Sequence, residues 1–377
     1  MANISDKLAD EFVEYAIDLQ RFSESAVNDI RGFLTQLAQD LEEALKKIDP
    51  AGPEMERYRA KRLTELLKTV KKTINKTYTD IGRHVGRELR ELAEIEVSAA
   101  EKINVAVGYD LIKAGLNKNR LKRLVDGTLI DGAPSSEWWS RQSDSLAQRF
   151  ADEVRMGMAL GEATEQILER LGYKDGKRIK GQRWHYFEKG ILGPRIRDAR
   201  SVVLTSVHAV SQKVRHDMYQ DNADVIKGVQ ALATLDNRTT QICMSRSGNA
   251  WTLDGKPLGK TKEDFPGPPP WHWRCRSTLI PLLCSIRELG GRLSPRKLAG
   301  LKKSASKRTQ SSMDGQVAAD LNYEQWLKTK PKEFQVEVLG PKKYELWKNG
   351  KLTFRDLVDQ KGRPLTVKEL QKKYGRK

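Results

Sequence analysis

The residues best suited to chemistry lie in two stretches, Asp236-Asn237-Arg238-Thr239-Thr240-Gln241-Ile242-Cys243 and Pro268-Pro269-Pro270-Trp271-His272-Trp273-Arg274-Cys275-Arg276. His272-x-x-Cys275 is a short-spaced pair of borderline-soft ligands, and Cys243 can supply a third. Thiolate and imidazole suit Zn2+, which takes four ligands in a tetrahedron. Asp236 or a water would have to complete that shell. The same residue types allow a second reading, in which His272 hydrogen-bonds a loop and the cysteines pack as small apolar groups. Cys-x-x-Cys on both sides would decide for metal, but position 240 is Thr and position 277 is Ser. A Cys243/His272 nucleophile pair with Asp236 orienting the imidazole can also be drawn. Such triads are recognised by geometry rather than order in the chain, and no spacing here selects one. Neither a phosphate-cradling Gly-x-x-x-x-Gly-Lys-Ser/Thr nor a His-Glu-x-x-His occurs. No catalytic residue is therefore expected, and no cofactor other than a structural zinc.

Asp236 and Arg238 have a structural explanation. An Asp at a strand end accepts backbone N–H groups of the turn that follows. An Arg two residues on can clamp carboxylates or loop carbonyls with its forked donors. Pro268, Pro269 and Pro270 stiffen the loop's return, and Trp271 and Trp273 anchor it by burying large areas.

The elements that must hold these residues are mostly helical. Leu34, Leu37, Leu41, Leu45 and Ile48 recur at helical spacing, and Asp49-Pro50-Ala51-Gly52-Pro53 stops that helix. Leu63, Leu67, Val70, Ile74, Ile81, Val85, Leu89 and Leu92 form a second stripe, so two long helices joined by a turn are expected. A Gly- and Asp-rich turn spans 126–134. Helical patterning resumes with Trp138, Trp139, Leu146, Phe150 and Val154, and Thr164 is a candidate N-cap. Another helix runs from about Pro194 to Gln220, burying Val203, Val207, Val210 and Val214 while Arg195, Arg197 and Arg200 face elsewhere. Val225 to Leu232 is β-prone, and Arg274 to Leu283 reads as a returning strand. The fold class is thus predominantly α, with a small α+β module carrying the motif and a small helical C-terminal module. The division is 1–125 long-helix region, 126–289 α+β core, 290–320 basic Gly/Ser/Lys linker and 321–377 helical module.

The 377 residues suffice for about two or three domains, and their formal net charge is +18. Such an excess attracts polyanions, and release of their counterions favours nucleic-acid binding without sequence readout. Arg296, Lys297, Lys302, Lys303, Lys307 and Arg308 make the linker a basic arm and the candidate DNA contact. No apolar run approaches the roughly 20 residues of a membrane span. Met1 to Gln20 lacks the apolar centre of a secretory signal, so synthesis in a cytoplasm is expected. Three cysteines are too few for a disulfide-stapled fold.

Asp-x-Arg-Thr-x-x-x-Cys, a Gly, then Pro-Pro-x-His-x-x-Cys-Arg resembles the signature of the Mu F-like minor head (head morphogenesis) proteins of tailed bacteriophages. In this chain those positions are Asp236, Arg238, Thr239, Cys243, Gly248, Pro269, Pro270, His272, Cys275 and Arg276. Tyr219, Asn222 and Val225-Ile226-Lys227-Gly228 fit the approach to the signature. Tyr323-Glu324-Gln325-Trp326-Leu327, Leu339-Gly340, Asp356-Leu357-Val358-Asp359 and Leu365-Thr366 look like an extension found in many members. The resemblance covers roughly 140–290 and, separately, 321–370. Two departures stand out: members often carry a further Cys where this chain has Thr240 or Ser277, and Leu204-Thr205-Ser206 stands where an Arg-Thr-Glu triplet is frequent.

The resemblance implies a low-copy virion protein in the capsid interior near the portal vertex. It implies portal protein, major capsid protein and packaged double-stranded DNA as partners, no membrane, and no enzymatic activity, with helices 1–125 as the docking element. Two other classes compete. One is a metal-dependent or toxin-like enzyme using His272 and Cys243, because Mu F-like modules are sometimes fused to toxin domains. The other is a general nucleic-acid-binding protein, although no helix-turn-helix, finger or RNP-like motif is present.

Overall fold

The computed structural model describes residues 4–49, 56–107, 115–173, 190–284, 309–313, 315–318, 321–359 and 362–374. The chain is predominantly helical with small antiparallel sheets, as its patterning requires. Helix α1 spans Ile4–Ile48 and α2 spans Glu56–Val107. The remaining long helices are α4 (Ser135–Ala159) and α6 (Gly193–Asp221), with the shorter α3 (Lys118–Asp126) before α4 and α5 (Thr164–Leu171) before α6. Among the described residues, no helix is long and apolar enough to cross a membrane.

The chain groups into two compact units, one of residues 1–19, 92–125 and 208–377, the other of 20–91 and 126–207. This grouping differs from a linear cut at 125 because α1, α2 and α6 each contribute residues to both units.

In the second unit, Leu34, Leu37, Leu41 and Leu45 of α1 and Val70, Ile74, Ile81, Val85 and Leu89 of α2 are buried on the expected stripes. The first turns of α2 depart from expectation. Leu66 is fully buried while Leu63 and Leu67 are only half-buried, so the stripe turns by one residue there. Helix α1 ends before Asp49, whose backbone N–H donates to the Leu45 carbonyl at 2.9 Å with φ at 44°. The 126–134 turn closes a two-residue hairpin of β1 (Leu129–Ile130) and β2 (Ala133–Pro134), with Asp131 and Gly132 at φ 48° and 81°. Asp-Gly with both residues at positive φ matches the twist of paired strands.

Two local expectations need correction. Thr164 is the first residue of α5 rather than its cap: Ala163 holds that position, its N–H donating to the Gln166 side chain at 2.8 Å, while the Thr164 hydroxyl bonds Asp49. Arg195 does not face solvent but is 6% exposed, with Nη1 3.1 Å from Asp198.

The first unit is organised around a sheet of order β5-β4-β3-β6. Its strands are β3 (Ile226–Leu232), β4 (Ala250–Thr252), β5 (Pro257–Leu258) and β6 (Thr278–Leu283), all antiparallel to their neighbours. β6 begins later than sequence patterning indicates, because Arg274 takes φ 59° and the chain turns before pairing. Trp251 is fully buried among Tyr219, Ile226, Val229 and Leu279, and its Nε1 donates to the Glu263 carbonyl at 2.8 Å.

The β3–β6 register slips between Ile226 and Gly228, as at a bulge. A Cβ at Gly228 would stand 2.2 Å from the Trp251 carbonyl oxygen. Backbone cannot yield as a flexible side chain can, so Gly228→Ala is expected to cost near the upper end of the ~1–3 kcal/mol typical of overpacking. Chemical denaturation of the purified variant reads this directly; an unchanged midpoint would contradict the close approach.

Helix α7 (Gln241–Arg246) follows β3. Within the expected 290–320 linker, β7 (Thr309–Ser312) and β8 (Gly315–Ala318) pair as a hairpin, and Leu235 bridges to Ser312. Alternation of small polar residues with Val317 is too weak a pattern to mark these strands in the sequence. Residues 290–308, and with them Arg296, Lys297, Lys302, Lys303, Lys307 and Arg308, lie outside the described residues.

The C-terminal segment is helical as expected: α8 (Tyr323–Lys328), α9 (Lys332–Leu339), α10 (Pro341–Lys348), a 3-10 turn at Phe354–Leu357, and α11 (Val367–Tyr374). Its aromatic core of Tyr323, Trp326, Tyr344, Trp347 and Phe354 also takes in Leu235 and Met244. One hydrophobic core therefore runs from the motif-bearing segment into residues 321–377.

Candidate functional site

Three connected pieces build the site: the end of β3, α7, and the turn before β6. The first focus is Asp236, which is 8% exposed. Its Oδ1 accepts from the Arg238 backbone N–H at 3.1 Å and the Thr239 hydroxyl at 3.0 Å, as a turn-initiating Asp does. Arg276 grips both carboxylate oxygens, Nη1 to Oδ2 at 2.6 Å and Nη2 to Oδ1 at 2.8 Å. This is the bidentate fork that fixes orientation as well as charge. Burial pushes the Asp236 carboxyl upward, but the hydrogen bonds and charge of Arg276 outweigh it and hold its pKa below the ordinary Asp value.

The expected clamp by Arg238 is therefore corrected. Its side chain is 80% exposed and its Nε stands 3.8 Å from Asp236. Arg276, forty positions downstream, approaches from the loop's return and takes both oxygens.

The second focus joins the thiols and the imidazole. Cys243 Sγ lies 3.1 Å from His272 Nε2 and 3.6 Å from Cys275 Sγ. Both cysteines are buried, at 2% and 4% exposure, and His272 is half-buried. His272 Nδ1 bonds the Trp273 carbonyl at 2.8 Å, which makes Nδ1 the donor and turns Nε2 toward the thiols. Burial would raise the Cys275 pKa, yet hydrogen bonds from Cys243, His208 and His272 outweigh it and hold the thiol well below its usual range. Cys243 moves the opposite way, raised by its bond to Cys275 and by burial. Burial depresses His272, but the adjoining Cys275 more than compensates and its pKa is raised.

Sequence reasoning did not single out His208. It sits on α6 with Nε2 2.7 Å from the Ser277 carbonyl, and it helps to lower the Cys275 pKa. Helical periodicity placed it between the buried valines without a partner, and only the fold brings β6 beside α6.

The other motif positions serve the frame. Gly248 adopts φ 82°, and a Cβ there would lie 3.1 Å from the Asn322 Cβ. Pro269 is buried, the Pro269–Pro270 bond is cis, and Trp271 donates to the Gly267 carbonyl at 3.0 Å beneath the Arg246 guanidinium. Tyr323 of α8 donates its hydroxyl to the Asp236 carbonyl at 2.6 Å, and its N–H donates to the Ser247 hydroxyl at 3.0 Å.

A shallow cleft of about 730 Å3 is lined by Gly248, Asn249, Lys260, Asn322 and Arg355, and none of Cys243, His272 and Cys275 borders it. In a second group of metal-capable side chains Asp29 is exposed while His84 and Glu88 are half-buried, with His84 Nε2 3.4 Å from Asp29 and 3.3 Å from Glu88.

No protein-family model, curated protein or solved structure matches the chain.

Proposed function

We propose that the chain is a minor head protein of a tailed bacteriophage, acting in capsid assembly or genome delivery and not as an enzyme. One observation carries this reading. The residues that resemble the Mu F-like signature, spread from Asp236 to Arg276, converge on one frame: the Asp236–Arg276 fork, the Cys243/His272/Cys275 cluster and the Gly248 turn. A chance string of matching residue types would have no reason to converge. The contact of Tyr323 with Asp236 ties in the C-terminal segment that carries the second part of the resemblance.

Burial of both thiols away from the open cleft favours a structural role over a nucleophilic one. The +18 charge suits non-specific contact with packaged double-stranded DNA, and the 296–308 arm is the natural place for it. Portal and major capsid proteins are the proposed protein partners. The proposed location is the capsid interior near the portal vertex, after synthesis in the host cytoplasm.

The test is electron cryo-microscopy of particles produced with this chain, reconstructed at the portal vertex without imposed symmetry. Density for α1 and α2 against portal or shell is expected. Particles lacking the chain would overturn the proposal. Hydrolase or transferase activity that disappears in His272→Ala with the fold intact would favour the enzyme instead.

A further inference from the structure

We propose that Cys243, His272 and Cys275 bind one zinc-class ion as a structural cross-link, with a water completing its shell. Bond lengths of about 2.3 Å to sulfur and 2.0–2.1 Å to nitrogen, set at the tetrahedral angle, put two thiolates about 3.8 Å apart and a thiolate and imidazole nitrogen about 3.6 Å apart. The distances here are 3.6 Å for Cys243 to Cys275 and 3.1 Å for Cys243 to His272. All three ligand atoms fall within 4.8 Å of one another. An ion entering this triangle requires only a few tenths of an ångström of expansion.

The surroundings are those of a ligand set. A metal-bound imidazole ordinarily donates its other N–H to a carbonyl or carboxylate, which fixes its tautomer. His272 has that arrangement, with Nδ1 on the Trp273 carbonyl and Nε2 on the cluster. Two thiolates and an imidazole are donors of the kind that zinc prefers. On binding, the two cysteines lose their protons to solvent, and the hydrogen bonds that join Cys243 to His272 and Cys275 are exchanged for bonds to the ion.

The consequence is mechanical. Cys243 lies on α7, and His272 and Cys275 lie on the turn before β6. One ion would pin the two ends of the long loop that follows α7 to each other. The inference stands apart from the virion reading, because metal uptake is measured on the isolated full-length chain.

The reduced, chelator-treated chain is titrated with Co2+ and then Zn2+, followed by electronic absorption and thermal unfolding. One equivalent of Co2+ is expected to give intense tetrahedral bands with thiolate charge transfer. Zn2+ should displace it and raise Tm, and a chelator should reverse the rise. Cys243→Ser and Cys275→Ser are expected to lose the thiolate band, while Cys284→Ser keeps it. His272→Ala should weaken uptake at least tenfold; unchanged affinity and spectrum would overturn its assignment. If either cysteine variant fails to fold, the wild-type titration still decides. A reduced chain that takes up no stoichiometric ion and shows no Tm shift would overturn the site, as would a thiolate band that survives Cys275→Ser.

Discussion

Glu96→Ala is expected to destabilise the first unit by about 3–5 kcal/mol, the cost of leaving a buried charge without its partner. Glu96 on α2 and Arg215 on α6 have side chains only 1% and 2% exposed, with Oε2 and Nε 2.7 Å apart. Removing the carboxylate takes the opposite charge from a buried guanidinium, and the loss far exceeds that of any exposed pair such as Arg83–Asp80, where ~0–1 kcal/mol is usual. Replacing both partners tells the two contributions apart. Glu96→Leu combined with Arg215→Met should recover most of the loss, because two well-packed apolar side chains avoid the desolvation that the ion pair must overcome. Urea denaturation of the three proteins, followed by far-ultraviolet circular dichroism and by tryptophan fluorescence, reads the result. A loss below about 1 kcal/mol for Glu96→Ala would mean that water does reach the pair.

This pair also marks what the sequence could and could not disclose. The helices, the β3 and β6 strands and the helical C-terminal segment follow from periodicities that side-chain burial imposes locally. A buried ion pair has no such signature: Glu96 and Arg215 each look like one more charge on a helix, and only the approach of α2 to α6 makes them partners. The site behaves likewise. His272-x-x-Cys275 is legible because both side chains lie on one turn, and Cys243 is legible as another soft side chain nearby. His208 and the Arg276 fork are not, because they depend on β6 lying beside α6 and on the loop's return meeting the end of β3. Arg238 illustrates the same limit in reverse: proximity in sequence nominated it as the clamp, yet its side chain leaves for solvent. The β7–β8 hairpin was hidden in a stretch of Gly, Ser and Lys because pairing there rests on backbone hydrogen bonds rather than on apolar alternation.

Asp236→Asn is expected to cost about 2–3 kcal/mol, less than the fully buried pair because Arg276 keeps 35% of its side chain in water. The substitution preserves shape but gives up the charge that holds both arms of the guanidinium. It also puts an NH2 where one carboxylate oxygen stood, facing donors: Oδ1 meets the Arg238 N–H and the Thr239 hydroxyl, and Oδ2 meets Arg276. The pH dependence supplies an independent check. The native carboxyl has a pKa below that of the unfolded chain, about 3.9 for Asp, so the folded state binds the proton less readily. Its contribution is therefore full above that unfolded value and is lost as pH falls through it and then through the depressed native pKa. Between about pH 5 and pH 3 the wild type should lose stability more steeply than Asp236→Asn, and the gap between them should narrow on acidification. Parallel curves would show that the Asp236–Arg276 fork contributes orientation alone. Because Tyr323 bonds the carbonyl of this same residue, slackening of the fork should also loosen α8. Hydrogen exchange at Tyr323 and Trp326 is then expected to accelerate in Asp236→Asn before the rest of the C-terminal core responds.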